Sequence, residues 1–313
     1  MNTVILSFQA IFPLMAYMAL GYFLNKRGYF PERVPQAINK IVFKILLPIN
    51  IFNSIFTTNL AEAFRWDVAL YVGISCIISF LTITFIVKRI EKTRDFIPVM
   101  IQGIHKANYN LLSISIVSSF FGNAIGMTAV LVAIITPIVN TCSAITFESN
   151  LGKERTSVAV LAKKTLKNPL VLGSLVGVAA NLCHLPIPKF IISGVIKNLS
   201  GMATPLALLT LGATLEFSSL KRYAKQLSIV AAGKLVLLPA VILPIAILIG
   251  IRGADLLAVT IYCASPTAVN SYSTAVSMGG NEELAGDVVI VTSVLSILTL
   301  FLWMCLLGSL GVI

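Results

Sequence analysis

Two clusters of polar residues interrupt long apolar stretches of the chain. The first comprises residues 105–110, His-Lys-Ala-Asn-Tyr-Asn, and the second comprises residues 265–274, which include Pro266. Asn and Ser side chains compete with a helix for backbone hydrogen bonds, and proline has no N–H group, so each cluster predicts an interrupted helix. Free N–H groups at the start of a half-helix favour an anion, and nearby amide and hydroxyl groups can orient it. The two clusters therefore predict a site for carboxylates.

Asn108 and Asn270 are expected to bind the carboxylate, one at each interruption. Lys106 could neutralise the same carboxylate, or it could extend its amine towards the cytoplasm or pair with Asp287. The alternative is that the polar side chains only join neighbouring helices, a role worth about 0.6 kcal/mol each. The candidate substrate-binding residues are Pro48, Asn50, Lys106, Asn108, Asn110, Ser113, Ser115, Pro266, Thr267, Asn270 and Ser271.

Two titratable residues, His105 and Asp287, are candidates for proton coupling because both can gain and lose a proton. Asp287 could equally be a residue near a helix N-terminus, favoured there by the helix dipole. Lys234 lies two turns into an apolar stretch and is expected to extend its amine to the membrane surface. The sequence contains no pattern of metal ligands, and we expect no cofactor.

The composition indicates a membrane protein. Of the 313 residues, 57% are hydrophobic and 11% are charged, and the mean hydropathy is +0.94, whereas soluble domains contain about 25% charged residues. The net charge of +11 does not indicate nucleic-acid binding, because the charges lie in short loops and not on a soluble basic module. The lipid bilayer is the expected partner, and a nucleic-acid partner is not expected.

Ten apolar stretches are long enough to span a membrane. Fifteen Lys and Arg residues lie in loops one, three, five and seven, and three lie in the even-numbered loops. Because basic loops stay in the cytoplasm, both termini are expected on the outer side of the cell membrane. The ninth loop, with Glu282 and Glu283, is acidic and does not follow this pattern. The predicted helices 1 to 10 are 3–24, 34–57, 67–88, 96–120, 123–147, 168–185, 189–215, 227–249, 254–277 and 285–309.

Five spans in each half give the halves opposite orientations, as in transporters with inverted repeats. A shift of 157 residues places Lys40 on Lys197 and Pro48 on Pro205, and it brings the two polar clusters into corresponding positions. We therefore predict an all-α membrane protein with two inverted five-helix repeats. The predicted boundaries are 1–150 for the first repeat, 151–168 for a basic cytoplasmic linker and 169–313 for the second repeat.

Several short motifs are spread along the chain. They are Leu20-Gly21-Tyr22, Leu46-Leu47-Pro48, Asn108, Leu209-x-Leu211-Gly212, Ser265-Pro266-Thr267-Ala268-Val269-Asn270 and Leu295-Ser296-Ile297-Leu298-Thr299. Together they resemble the auxin efflux carrier family, which includes bacterial carriers proposed for malate and malonate. That family usually has Asn-x-x-x-x-Gly-x-Pro in helix 4, whereas this chain has Ser113 and Ser115 in place of Gly and Pro. The substrate preference can therefore differ from that of better-known members.

The resemblance implies that the interrupted helices 4 and 9 cross each other. It also implies a scaffold of helices 1, 2, 6 and 7 that forms a homodimer, and a transport unit of helices 3–5 and 8–10 that moves like an elevator. Pro48 and Asn50 of helix 2 are expected to face the substrate from the scaffold. Gly173-x-x-x-Gly177 in helix 6 is compatible with close packing there.

These features predict a secondary active transporter of small organic anions, such as malate-like or auxin-like acids, that works by alternating access. One alternative is a sodium-coupled carrier of the bile-acid type, for which the chain has few acidic residues near the crossing. Another is a membrane channel or sensor without transport activity. An enzyme is not expected, because the chain has no H-E-x-x-H, G-x-S-x-G or P-loop motif and only two histidines, His105 and His184.

Overall fold

A computed structural model describes residues 2–31, 33–57, 64–122, 126–151, 167, 169–213 and 220–313. The predicted basic linker, 151–168, lies outside the described residues except for Leu151 and Lys167. Within the described residues every regular element is a helix, and one isolated antiparallel bridge joins Ala107 to Thr267. The prediction of an all-helical protein is therefore confirmed.

The helices agree with the predicted apolar stretches to within a few residues, except that two of them are interrupted. The last helix begins earlier than expected because the side-chain oxygen of Asn281 accepts a hydrogen bond from the Leu284 N–H at 2.8 Å and caps the helix. The helices are α1 (Asn2–Lys26), α2 (Val34–Phe56), α3 (Trp66–Ile90), α4a (Phe96–His105), α4b (Tyr109–Phe121), α5 (Gly126–Leu151), α6 (Pro169–Leu182), α7 (Ile191–Ala213), α8 (Ala224–Leu248), α9a (Gly253–Ala264), α9b (Asn270–Ser277) and α10 (Glu282–Ser309).

Among the described residues, six helices are long and apolar enough to cross a membrane by length and composition. Large apolar side chains on these helices are exposed, including Leu70, Ile78 and Phe85 on α3. Such a surface is unfavourable in water and favourable in hydrocarbon. The protein is therefore a multi-pass membrane protein. The six segments are α2, α3, Val130–Leu151 of α5, α7, α8 and α10.

The chain divides into two compact units, each built from separate segments. The division falls inside the second half of α4 and inside α5, so each of these helices contributes to both units. Unit 1 comprises Met1–Trp66, Asn110–Thr136 and Leu166–Leu215, and unit 2 comprises Asp67–Tyr109, Pro137–Thr165 and Glu216–Ile313.

Unit 1 is built on two pairs of closely packed helices. In the first pair, a side chain at Gly21 of α1 would collide with the backbone of Leu209 on α7, and a side chain at Gly212 of α7 would collide with the backbone of Met18. In the second pair, a Cβ atom at Gly173 of α6 would lie 2.7 Å from the carbonyl oxygen of Pro48 on α2. Glycine is required at these positions because the helix backbones touch. The Gly173-x-x-x-Gly177 motif is thus used within one chain.

Unit 2 joins three odd-numbered loops at one end. The Asn281 side chain donates to the Asp95 carboxylate at 3.3 Å, which connects the ninth loop to the third. The Glu283 carboxylate accepts hydrogen bonds from Arg222 at 3.1 Å and from the Tyr223 hydroxyl at 2.8 Å, which connects it to the seventh loop. The ninth loop thus lies with the third and seventh loops despite its acidic sequence, and Arg222 pairs with one of its carboxylates.

Helix α8 contains a π-helical turn, Gly233–Leu237, between α-helical segments. Pro239 follows this turn and has no N–H to give to the carbonyl of Leu235, which instead accepts the indole N–H of Trp303 at 2.9 Å. A Cβ atom at Gly233 would lie 3.1 Å from the Ile104 side chain of α4a. The π turn therefore lies directly against the end of α4a. Such turns are frequent at functional sites.

Candidate functional site

Both polar clusters interrupt their helices where the sequence predicts an interruption. Helix α4a ends at His105, and Lys106 has an extended backbone conformation with φ −85° and ψ 102°. Helix α9a ends at Ala264, and Ser265 is extended with φ −70° and ψ 158°. The second half-helices begin at Tyr109 and Asn270. Three residues separate the two halves of α4, and five separate those of α9.

The two interruptions pair with each other through their backbones, inside unit 2. The Asn108 N–H donates to the Pro266 carbonyl at 2.8 Å, and the Ala268 N–H donates to the Lys106 carbonyl at 3.0 Å. Ala107 lies opposite Thr267 between these two bonds. Backbone groups that leave a helix inside a membrane need such partners because hydrocarbon supplies none.

Thr267 connects this pairing to two further segments. Its hydroxyl group donates to the Gly103 carbonyl at 2.7 Å, in the last turn of α4a. Its N–H donates to the hydroxyl oxygen of Thr292 on α10 at 3.1 Å. Thr267 is a predicted substrate-binding residue, and the structure gives its hydroxyl group and its N–H group protein partners. Sequence reasoning missed Thr292. The sequence offers no signal for its role, because a threonine hydroxyl in a helix often bonds to its own helix and to nothing else.

Lys234 is the second residue that sequence reasoning missed. It was expected to extend its amine to the membrane surface, but its side chain has no exposed surface. Its ammonium nitrogen lies 3.5 Å from the Tyr262 carbonyl oxygen, in the last turn of α9a. A signal did exist, because Pro266 four residues later cannot donate to the Tyr262 carbonyl and leaves that carbonyl in need of a donor.

Several buried hydrogen-bond donors near the interruptions have no partner among the described residues. They include the side-chain amide nitrogens of Gln102 and Asn108 and the hydroxyl groups of Ser265 and Ser271. Lys106 lies where the two interruptions pair, and its side chain is 3% exposed. Buried polar groups without partners are costly. One acceptor, the side-chain oxygen of Asn270, also lacks a partner among the described residues. Donors outnumber it, which suits this region to an anion.

The two predicted proton-coupling residues lie in unit 2. His105 is buried, and its Nε2 atom lies 3.0 Å from the Cys76 carbonyl oxygen, to which it donates. This bond ties the end of α4a to α3. Asp287 is buried in the second turn of α10, beyond the first turn in which the helix dipole favours a carboxylate.

Most of the predicted substrate residues fall in unit 2, and five fall in unit 1. In unit 1, the Asn50 side chain donates to the Ser200 hydroxyl at 2.9 Å and joins α2 to α7. The hydroxyl groups of Ser115 and Thr204 lie 3.1 Å apart and join α4b to α7. Ser113 is fully buried. The side chain of Asn110 lies outside the described part of the chain. The unit 1 residues are Pro48, Asn50, Asn110, Ser113 and Ser115, and the unit 2 residues are Lys106, Asn108, Pro266, Thr267, Asn270 and Ser271.

Several proteins similar to this chain are named as transporters. Residues 6–304 match the family described as Membrane transport protein. An "Uncharacterized transporter" of Methanothermobacter thermautotrophicus is 22% identical over 309 residues, which cover 95% of this chain and 97% of that protein. The "Putative malonate transporter" of Rhizobium meliloti is 25% identical over 310 residues, which cover 92% of each chain. The "Uncharacterized transporter YfdV" of Escherichia coli K12 is 28% identical over 251 residues, which cover 74% of this chain and 76% of that protein. The chain therefore belongs to the Membrane transport protein family, the auxin efflux carrier-type family that its motifs resemble.

Proposed function

We propose that the protein is a secondary active transporter of small organic anions, carboxylates above all, and that it binds them at the paired interruptions of α4 and α9. The observation that carries this proposal is the surplus of buried donors beside those interruptions. Lys106 supplies a positive charge from a buried side chain, and Asn108 supplies an amide N–H group that has no acceptor among the described residues. A carboxylate offers a negative charge and several acceptor sites, so it satisfies both groups.

The backbone pairing supports an inverted repeat. Lys106 and Pro266, Ala107 and Thr267, and Asn108 and Ala268 are each 160 residues apart, close to the shift of 157 that aligns the halves. The bond from Asn108 to Pro266 therefore has its counterpart in the bond from Ala268 to Lys106. Any antiparallel bridge has two reciprocal bonds of this kind, so the support comes from the position of this one, between residues that correspond in the two halves. Substrate sites of transporters with inverted repeats lie at the repeat interface.

We further propose the membrane arrangement that follows from this repeat. The chain crosses the cell membrane ten times, with both termini outside the cytoplasm and the basic loops inside. Helices α1, α2, α6 and α7 form the scaffold and the interface of a homodimer. Helices α3–α5 and α8–α10 form the transport unit, which carries the substrate by an elevator-type movement. This movement requires α4b to separate from α7, which it contacts through Ser115 and Thr204 in the present structure. Asp287 and His105 are the candidates for proton coupling.

A binding screen on the purified protein tests the substrate class. Malonate, malate and an aromatic acetic acid should each be compared with the neutral amide of the same skeleton. A carboxylate that binds the folded state raises the apparent melting temperature by mass action, and its amide should not. The name of the Rhizobium meliloti relative makes malonate the first compound to test.

Uptake into proteoliposomes tests the site. Asn108→Ala and Asn270→Ala should each weaken binding and uptake of an accepted carboxylate by about tenfold or more, because hydrogen bonds to charged groups are worth about 1.5–3 kcal/mol. Asn198→Ala is the matched control, since Asn198 is exposed on α7. The proposed site is wrong if both variants insert normally and then bind and transport every accepted carboxylate as well as the parent.

The same proteoliposomes test two alternatives, a channel or sensor and a sodium-coupled carrier. A channel or sensor cannot move an anion against its electrochemical gradient, so uptake against a concentration gradient with the membrane potential held at zero supports a carrier. A sodium-coupled carrier loses uptake when choline replaces Na⁺. Uptake that survives this replacement supports a carrier that does not need sodium.

A further inference from the structure

Lys234 is a buried cation that the proposed anion site does not use. Its ammonium nitrogen lies 3.5 Å from the carbonyl oxygen of Tyr262. In an uninterrupted helix that carbonyl would accept from the N–H of residue 266, which is proline in this chain. The ammonium group therefore donates at the one place where Pro266 leaves α9a without its regular donor.

The end of α9a is also where a positive charge is electrostatically favoured. Carbonyl groups at the C-terminal end of a helix form the negative end of its dipole. In transporters with interrupted helices, carbonyl groups of such half-helices coordinate the coupling cation. In this chain a covalently attached ammonium group occupies that kind of position.

The π turn of α8 brings Lys234 to this place. Gly233 lies against Ile104 at the end of α4a, where a Cβ atom would be only 3.1 Å from the Ile104 side chain. Lys234, the next residue, contacts Tyr262 at the end of α9a. One turn of α8 therefore contacts the ends of both first half-helices.

We propose that Lys234 is a tethered counter-cation: its ammonium group takes the position of a coupling cation at the end of α9a, holds the α9 interruption in place and makes transport independent of sodium. The last part rests on the proposed transport function. The position of the cation does not, and it is tested separately by protein stability.

Chemical rescue tests the position of the cation. Lys234→Ala removes an ammonium group and three methylene groups, which propylammonium replaces, whereas propanol replaces the carbon chain without the charge. The melting temperature of purified Lys234→Ala protein should fall, and propylammonium should restore at least about half of the loss by occupying the vacated space. Propanol should not restore it. Lys234→Met fills most of the same space, so it should lose stability without responding to either compound.

The matched control is Lys44→Ala, because Lys44 lies in the π turn of α2 (Val42–Leu46) and is exposed. It should melt like the parent and respond to neither compound. The proposal is overturned if Lys234→Ala melts like the parent, if propanol acts as well as propylammonium, or if the variant stays equally unstable with both compounds.

Transport measurements test the consequence for coupling. Replacement of Na⁺ by choline should leave uptake by the parent unchanged. Lys234→Met should reduce uptake by about tenfold or more, and Lys234→Arg, which keeps a cation, should retain more uptake than Lys234→Met. Sodium-dependent uptake by the parent, or full uptake by Lys234→Met, overturns the proposal. If no carboxylate is transported, the proposed function fails, and the melting experiment still decides whether an ammonium group belongs at this position.

Discussion

The interruptions of α4 and α9 pair with each other, yet they are built differently. The α9 interruption contains Pro266, which cannot donate to the preceding turn and so disfavours a continuous helix by itself. The α4 interruption, Lys106–Asn108, contains neither proline nor glycine. Its carbonyl and N–H groups bond instead to Ala268 and Pro266.

Because of this difference, we expect the α4 interruption to depend on the α9 interruption more than the reverse. The α9 interruption has a cause within its own helix, Pro266, and contacts from other segments then hold it in place. The α4 interruption relies on α9, because Lys106 and Asn108 find their backbone partners there. We therefore expect changes that straighten α9 to affect both helices.

The largest effect is expected for Pro266→Ala, which abolishes the difference between the interruptions. Alanine supplies the missing N–H to the Tyr262 carbonyl and removes the roughly 3 kcal/mol that proline costs inside a helix. That energy corresponds to about a hundredfold change in an equilibrium, so uptake should fall by about that factor. Uptake into proteoliposomes is the measurement, and Pro13→Ala, in the exposed part of α1, is the control. Unchanged uptake by Pro266→Ala would contradict the dependence of the α4 interruption on the α9 interruption.

The next largest effect is expected for Thr267→Val, which keeps the shape of the side chain and removes its hydroxyl group. The Gly103 carbonyl at the end of α4a then loses its donor. A buried carbonyl without a partner costs about 1–3 kcal/mol, so the melting temperature should fall. The melting temperature of Thr299→Val should fall less, because the Thr299 hydroxyl donates to the Leu295 carbonyl of its own helix. Equal losses in the two variants would show that the Gly103 contact has no special role.

A smaller effect is expected for Thr292→Val, which removes the acceptor of the Thr267 N–H. We expect a loss of about 1 kcal/mol and faster hydrogen exchange in a peptide that spans residues 265–270. The peptide of α4a should exchange as in the parent, because the bond from Thr267 to Gly103 remains. Faster exchange in α4a but not in residues 265–270 would reverse the proposed order of dependence.

The smallest effect is expected outside the membrane-spanning segments, at Glu91. Burial tends to raise the pKa of this carboxyl, but hydrogen bonds from Thr93, Gln226 and Lys92 outweigh it and hold the pKa below the ordinary glutamate value. A folded pKa below the unfolded one means that Glu91 stabilises the protein above the ordinary pKa of about 4.3, and that this contribution is lost as the pH falls through the folded pKa.

Melting temperatures of the parent and of Glu91→Gln, measured across that pH range, test whether Glu91 loses its stabilising effect as the pH falls. The variant should lose less stability on acidification than the parent, and its uptake at neutral pH should match the parent's. A parent that gains stability relative to Glu91→Gln as the pH falls would contradict the assignment.

The sequence predicted the position of both interruptions because residues within each of them disfavour a helix. Pro266 acts on its own helix, and the Asn-rich cluster at Asn108 marks a poor helix. The bonds that join the interruptions could not be predicted, because backbone pairing leaves no trace in residue type. The same holds for Thr292, whose partner comes from another segment.

Lys234 shows a different limit of sequence reasoning. Its depth in an apolar stretch was evident, and the extension of its amine to the surface was the ordinary expectation for a lysine at that depth. Whether a side chain faces lipid or protein depends on helix packing. The free carbonyl of Tyr262, predictable from Pro266, would have offered the lysine a buried partner.

The π turn of α8 has a consequence for the evolution of this helix. A π turn accommodates one residue more than an α turn, and one residue corresponds to about 100° of rotation around a helix axis. Loss of a single residue between Gly233 and Leu237 would leave a continuous helix but rotate the segment before it relative to the segment after it. Lys234 and the Leu235 carbonyl could then no longer both reach their present partners, Tyr262 and Trp303. A one-residue deletion here would thus alter the site more than many substitutions, although it changes the composition of the helix hardly at all.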